Sequence, residues 1–264
     1  TQNILNSEDK NLLISEKKPN VKNIYYIILD SMLSLEMAAK INITDEFKTK
    51  EILQQAGLTY IDKSYSSHLQ THLTLTTIIK VDYPAAEQDI NYIFGEQYYP
   101  WMMYQGKKPV PLPDLINKYG GNFVWVGNML IPCLEWVNQP WVCMHTSKIK
   151  NLMRIASTIY SDTPLERILV KLPSEGGQRN LKYYMESSQK NDKIESPKFV
   201  FIHQLSPHDP YSVSENCEPE NYDVHKNKYE GYRASFQCVL KEVIEFEGVG
   251  LHNGIKVNLC LKPA

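Results

Sequence analysis

Three short, continuous apolar runs limit what this chain can fold into: Lys22 to Leu29 (KNIYYIIL), Asn122 to Val126 (NFVWV) and Phe199 to His203 (FVFIH). A strand with one wet face alternates apolar and polar residues, whereas unbroken runs this short fit strands buried on both faces. Between them lie helical segments. Glu46 to Ala56 ends at Gly57 as its C-cap, and Leu112 to Tyr119 ends at Gly120-Gly121. Ser147 to Ile159, Arg179 to Gln189 (after a Gly176-Gly177 loop) and Tyr229 to Phe246 also carry helical periodicity. Thr71 to Ile79 is apolar and threonine-rich, and reads equally well as helix or strand. Strands alternating with helices predict an α/β fold, a mostly parallel sheet flanked by helices.

Composition narrows the class. Hydrophobic residues at 42% and charged residues at 22% belong to a globular domain rather than a disordered chain. A net charge of −2 with scattered lysines offers no basic face, so nucleic acid is not an expected partner. No apolar run reaches the ~18 residues that a membrane span requires. Thr1 to Val21 is polar, without the basic and apolar regions of a signal peptide. We read 1–20 as a polar linker or the remnant of an upstream segment, followed by one domain over 21–246.

The chain has five cysteines. Cys133 and Cys143 flank a tryptophan-rich segment, and Cys217 and Cys238 flank a polar loop and the start of a helix. Both spacings can close as short disulfide loops, which suits a periplasmic or extracellular domain; the alternative is a cytosolic protein with reduced thiols. Without a CxxC pair, zinc held by thiolates is not expected. Cys260 is left over.

In parallel sheets, functional groups gather at the carboxyl ends of strands. Asp30 ends the first run, where a carboxylate either caps a helix or serves as a hard metal ligand. His208 lies in HQLSPHDPY directly after the third run, with His203 just before it and prolines stiffening the loop on both sides. Thr71 sits in the hydroxyl-rich SYSSHLQTHLTLTT; a threonine attacks only when a metal or base lowers its pKa.

The order of three segments, NIYYIILDS, SYSSHLQTHLTL and FVFIHQLSPHDPY, resembles the sulfatase-like hydrolases of the alkaline phosphatase superfamily, over roughly residues 20–241. The resemblance implies that Asp30 and Thr71 bind a divalent metal (Zn, Ca, Mg or Mn) and that Thr71 is the nucleophile. It implies that His208, with His203 nearby, contacts a phosphate or sulfate ester, such as one carried by a lipid or glycan. The fold it implies is alkaline-phosphatase-like and incomplete at the C-terminus.

Two departures qualify it. The Cys/Ser-x-Pro-x-Arg motif of the formylglycine enzymes is missing around Thr71, which favours phospho-transfer or phosphohydrolysis over sulfatase chemistry. The family's later Asp-His-Gly ligands are missing too. In their place Glu247 to Ala264 (EGVGLHNGIKVNLCLKPA) resembles the opening hairpin of the bacterial UDP-3-O-acyl-N-acetylglucosamine deacetylases, without their zinc ligands. We read 247–264 as a foreign fusion. The expected function is a metal-dependent phospho- or sulfo-ester hydrolase or transferase, inactive as this truncated chain and binding metal weakly. The alternatives are a non-catalytic extracellular binding domain on the same fold and a deacetylase fragment.

Overall fold

A computed structural model of the chain describes residues 22–62, 66, 71–81, 110–127, 141–144, 179–191, 194–195, 197–209, 211, 213–220 and 227–248. In chain order the elements are β1 (Ile24–Leu29), α1 (Leu35–Lys40), α2 (Glu46–Gln55), α3 (Thr71–Lys80), α4 (Pro111–Lys118), β2 (Asn122–Val126), β3 (Trp141–Met144), α5 (Asn180–Asn191), β4 (Lys198–Gln204) and α6 (Lys228–Gly248). The strands form a four-stranded sheet in the order β1-β4-β2-β3, and every pairing is parallel. The protein is therefore an α/β fold with a parallel sheet and helices on both faces, as the apolar runs predict. The readings for residues 1–20, Cys133, Ser147 to Ile159, Gly176-Gly177 and the tail beyond Gly248 fall outside the described residues.

Alternation along each strand sorts side chains into two cores. Tyr25, Ile27 and Leu29 of β1, Val124 and Val126 of β2 and Val200 and Ile202 of β4 face α5 and α6, meeting Leu181, Tyr184, Phe236, Val243 and Phe246. Ile28, Phe123, Trp125 and Phe201 point the other way, onto Leu75 and Ile79 of α3 and Ile116 of α4. That second contact decides the ambiguous segment. Leu75 and Ile79, spaced one helical turn apart, are both fully buried, and burying each contributes about 2 kcal/mol. Ile78 packs on the same core, and as a strand the segment would point adjacent Ile78 and Ile79 to opposite sides.

Local signals set the ends. Asp45 caps α2 by accepting the Lys48 N–H at 2.9 Å, and Ser34 caps α1 through the Met37 N–H. Gly57 (φ 85°) and Gly120 (φ 73°) follow α2 and α4 in the left-handed region where L side chains are strained. Phe246, near the end of α6, is fully buried with edge-on contact to Tyr25 at 5.3 Å between ring centres.

Candidate active site at the carboxyl ends of β1 and β4

β1 and β4 are neighbours, and the Asp30 N–H extends their ladder by donating to the Gln204 carbonyl at 2.9 Å. The carboxyl ends of both strands, and the loops that follow, are thereby locked side by side. Asp30 is 2% exposed. Strand parity directs it to the α3 side, and Thr71, the first residue of α3, donates from Oγ1 to Asp30 Oδ1 at 2.6 Å. The partly positive amino end of α3 thus lies beside the carboxylate, a favourable pairing. Asp30 Oδ2 is buried and has no hydrogen-bond partner. An unsatisfied buried carboxylate oxygen is costly to fold around, and its presence marks the group as one to which a ligand would add a contact.

The loop after β4 forms the second half of the site. His203 is buried within β4 on the same sheet face as Asp30. Its carbonyl accepts from Asn180 Nδ2 at 2.6 Å, beside Gly127, where any Cβ would sit 2.8 Å from that same oxygen. The Ser206–Pro207 peptide is cis. His208 is exposed and donates from Nδ1 to the Asp209 carbonyl, which leaves Nε2 as its outward nitrogen.

His208 lines an open pocket of about 300 Å³ together with Ser31, Leu33, Pro207, Tyr211 and Tyr232. His203 is not part of its wall. Ser31 adopts a left-handed φ of 61°, an uncommon conformation for a non-glycine residue that must be held by its surroundings. Tyr232 holds it: the phenol donates to the Ser31 carbonyl at 2.8 Å and accepts the Leu33 N–H at 3.0 Å. Burial pushes that phenol far above its ordinary pKa, so it remains a donor at any physiological pH.

On the α6 side a polar network supports the strand end from behind. Arg179 Nε pairs with Glu242 Oε1 at 2.5 Å, Gln204 Nε2 donates to Glu242 Oε2 at 3.0 Å, and Gln204 Oε1 accepts the Leu181 N–H at 2.9 Å. Arg179 also donates to the Cys217 carbonyl at 2.7 Å. Burial raises the Glu242 carboxyl above its ordinary range, against the opposing pull of Arg179 and Gln204.

Of the residues expected from sequence, Asp30 and Thr71 meet directly, and His208 comes to the pocket that begins at Ser31. Cys217 and Cys238 form a disulfide with Cα atoms 5.0 Å apart. Cys143, in β3, is disulfide-bonded, while Cys133 lies outside the described residues. Sequence reading missed Tyr232, Tyr211, Glu242 and Gln204 as parts of the site's frame. Among the described residues, the only trio of His, Cys, Asp or Glu ligand atoms close enough to share an ion is Cys217, Cys238 and Glu242. The disulfide and the Arg179 pair already consume it. No helix of the described residues is long and apolar enough to cross a membrane. No family model, no curated protein and no solved structure matches this chain.

Proposed function

We propose that this chain carries active-site residues of a metal-dependent phospho- or sulfo-ester hydrolase or transferase of the sulfatase-like kind, working in a periplasmic or extracellular setting. One observation carries the reading: a threonine hydroxyl bonded to a buried carboxylate whose second oxygen has no partner, at the carboxyl end of a parallel strand. The Cys217–Cys238 disulfide supports the oxidising compartment.

Asp30 Oδ2 and Thr71 Oγ1 are hard oxygen donors that fit a divalent cation such as Zn, Ca, Mg or Mn. Such an ion, when bound, lowers the pKa of the hydroxyl and offsets the charge of the ester. Asp30 holds the Thr71 proton through Oδ1 and aims Oγ1. The bond that forms is from Oγ1 to phosphorus or sulfur, and the bond that breaks is the one to the alcohol oxygen, which leaves as the alcohol with the proton that Oγ1 gives up by way of Asp30 or solvent. His208 presents Nε2 to the ester's outer oxygens.

The test is titration of the whole chain with Mn²⁺ by calorimetry, alongside turnover of p-nitrophenyl phosphate and p-nitrophenyl sulfate. The expected result is weak Mn²⁺ binding that falls at least about tenfold in Asp30→Asn; any cation-dependent turnover should fall about a hundredfold or more in Thr71→Ala. Mn²⁺ binding indifferent to Asp30→Asn would remove the metal assignment. Phosphate binding indifferent to Mn²⁺ and to Asp30→Asn would leave a non-catalytic binding domain.

A further inference from the structure

The pocket beside Ser31 has a composition that the ester chemistry alone does not require. Its floor and sides are carbon: Leu33, Pro207 and the rings of Tyr211 and Tyr232, which meet edge to face at 6.1 Å and 79°. The Tyr232 hydroxyl is spent on Ser31 and Leu33, so this ring contributes only its apolar body. The polar lining is Ser31, His208 and Asp209, whose Oδ1 is buried without a hydrogen-bond partner, while Asp30 and Thr71 stand outside the pocket wall. A volume of about 300 Å³ lies at the small end for ligand pockets. It has room for one ring.

α6 is shaped to keep this space open. A Cβ at Gly231 would lie 2.6 Å from Tyr211 Cδ2 and 3.0 Å from Tyr211 Cβ and Cγ. Gly231 is a buried position within a helix, where glycine costs about 1 kcal/mol relative to alanine. No positive φ calls for glycine there. What calls for it is the Tyr211 ring, which sits directly on the helix backbone. Any larger residue must displace that ring, which is one wall of the pocket.

We propose that this pocket receives the alcohol half of the ester, a single six-membered ring with an apolar face, and that Gly231 sets its width. The proposal rests on the ester-cleaving reading above for which end of the ligand lies at Asp30. A ring seated in the Tyr211–Tyr232 corner lies against Ser31, the residue that follows Asp30 in the chain. Aryl and pyranose rings share the required face.

The experiment measures dissociation constants of inorganic phosphate, phenyl phosphate and glucose 1-phosphate for the whole chain in Mg²⁺ buffer by calorimetry. The unaltered chain should bind at least one of the two ring esters about tenfold more tightly than phosphate, the scale of a good aromatic contact plus its buried area. Which ester gains identifies the ring as aryl or sugar. In Gly231→Ala that ratio should collapse to about one. Tyr211→Ala, which widens the space instead of filling it, should also abolish the ratio and covers the case in which Gly231→Ala does not fold. A ratio near one in the unaltered chain, or a ratio unchanged in a folded variant, overturns the proposal. So does failure of all three ligands to bind. Ring-selective binding indifferent to Mg²⁺ would sink the hydrolase reading and leave the pocket standing; Mg²⁺-dependent phosphate binding without ring selectivity would do the reverse.

Discussion

On the α6 side of the β1–β4 strand ends, Glu242 is buried with both oxygens engaged, one by Arg179 and the other by Gln204, and Gln204 is itself bonded to the Leu181 N–H. On the α3 side, Asp30 is just as deeply buried, with one oxygen bonded to Thr71 and the other to nothing. The two carboxylates lie beside the same pair of strands in the same fold, yet only one is fully satisfied. A closed network fixes a strand end; an open one keeps an acceptor in reserve. The contrast separates framework from site without appeal to conservation.

Its sharpest test is removal of Arg179. Arg179→Ala should destabilise the fold by about 3–4 kcal/mol in urea, because Glu242 is left charged, buried and half-paired. A loss under about 1 kcal/mol would mean that the network is not the frame it is taken for. Next in size is the disulfide. Cys217→Ser with Cys238→Ser opens a loop of sequence separation 21 and should cost about 3 kcal/mol. It also loosens the carbonyl that Arg179 grips, so the two losses should add to less than their sum.

The α3 side should respond differently. Thr71→Val strips Asp30 of its remaining partner and should cost about 1–2 kcal/mol, while Thr71→Ser restores most of it. Asp30→Asn keeps an acceptor for Thr71 and removes a buried charge. Its stability should change by less than about 1 kcal/mol in thermal melts, and binding of Mn²⁺ should suffer instead. If Asp30→Asn proved as damaging as Arg179→Ala, Asp30 would be framework too.

The smallest effect is on pH. Burial raises the folded-state carboxyl of Glu242 above its ordinary value of 4.5. Its contribution is therefore complete below that pH and is lost as pH rises through the raised value. Melting temperature should fall across that climb, and Glu242→Gln should flatten the slope. An identical slope in both proteins would show that other carboxylates set it.

Sequence carried the sheet well because a strand buried on two faces writes its own signature. The three apolar runs match β1, β2 and β4 to within two residues at each end. β3 left no such mark. Its four residues lie at the sheet's edge, half-exposed, with too short a run to show a period. α1 escaped for a similar reason, being six residues long with only Leu35 and Ala38 buried. Asp30 and His208 were legible as candidates because strand ends in parallel sheets are where such groups matter, whereas Thr71, the first residue of α3, was picked out by its hydroxyl-rich segment and the family resemblance. Glu242 and Gln204 were not. They are 38 positions apart, Arg179 is a further 63 from Glu242, and each reads locally as an ordinary polar residue. Only the tertiary fold makes them one network. Gly231 was equally silent, because what it makes room for is a side chain from a different segment.

The place of β4 in the sheet has a consequence for how the protein comes into being. β4 is the last strand of the four in sequence, yet it lies between β1 and β2, and its first residue, Lys198, bonds to Asn23 across 175 positions. During synthesis from the amino end, β1 and β2 must leave the ribosome and wait with open edges until β4 arrives. Such distant pairings form slowly, and waiting edges are exposed to wrong partners. The gap between β1 and β2 therefore acts as a clock. Asp30 gains its neighbouring loop only when that slot is filled, so a half-made chain has the carboxylate and the threonine but nothing opposite them.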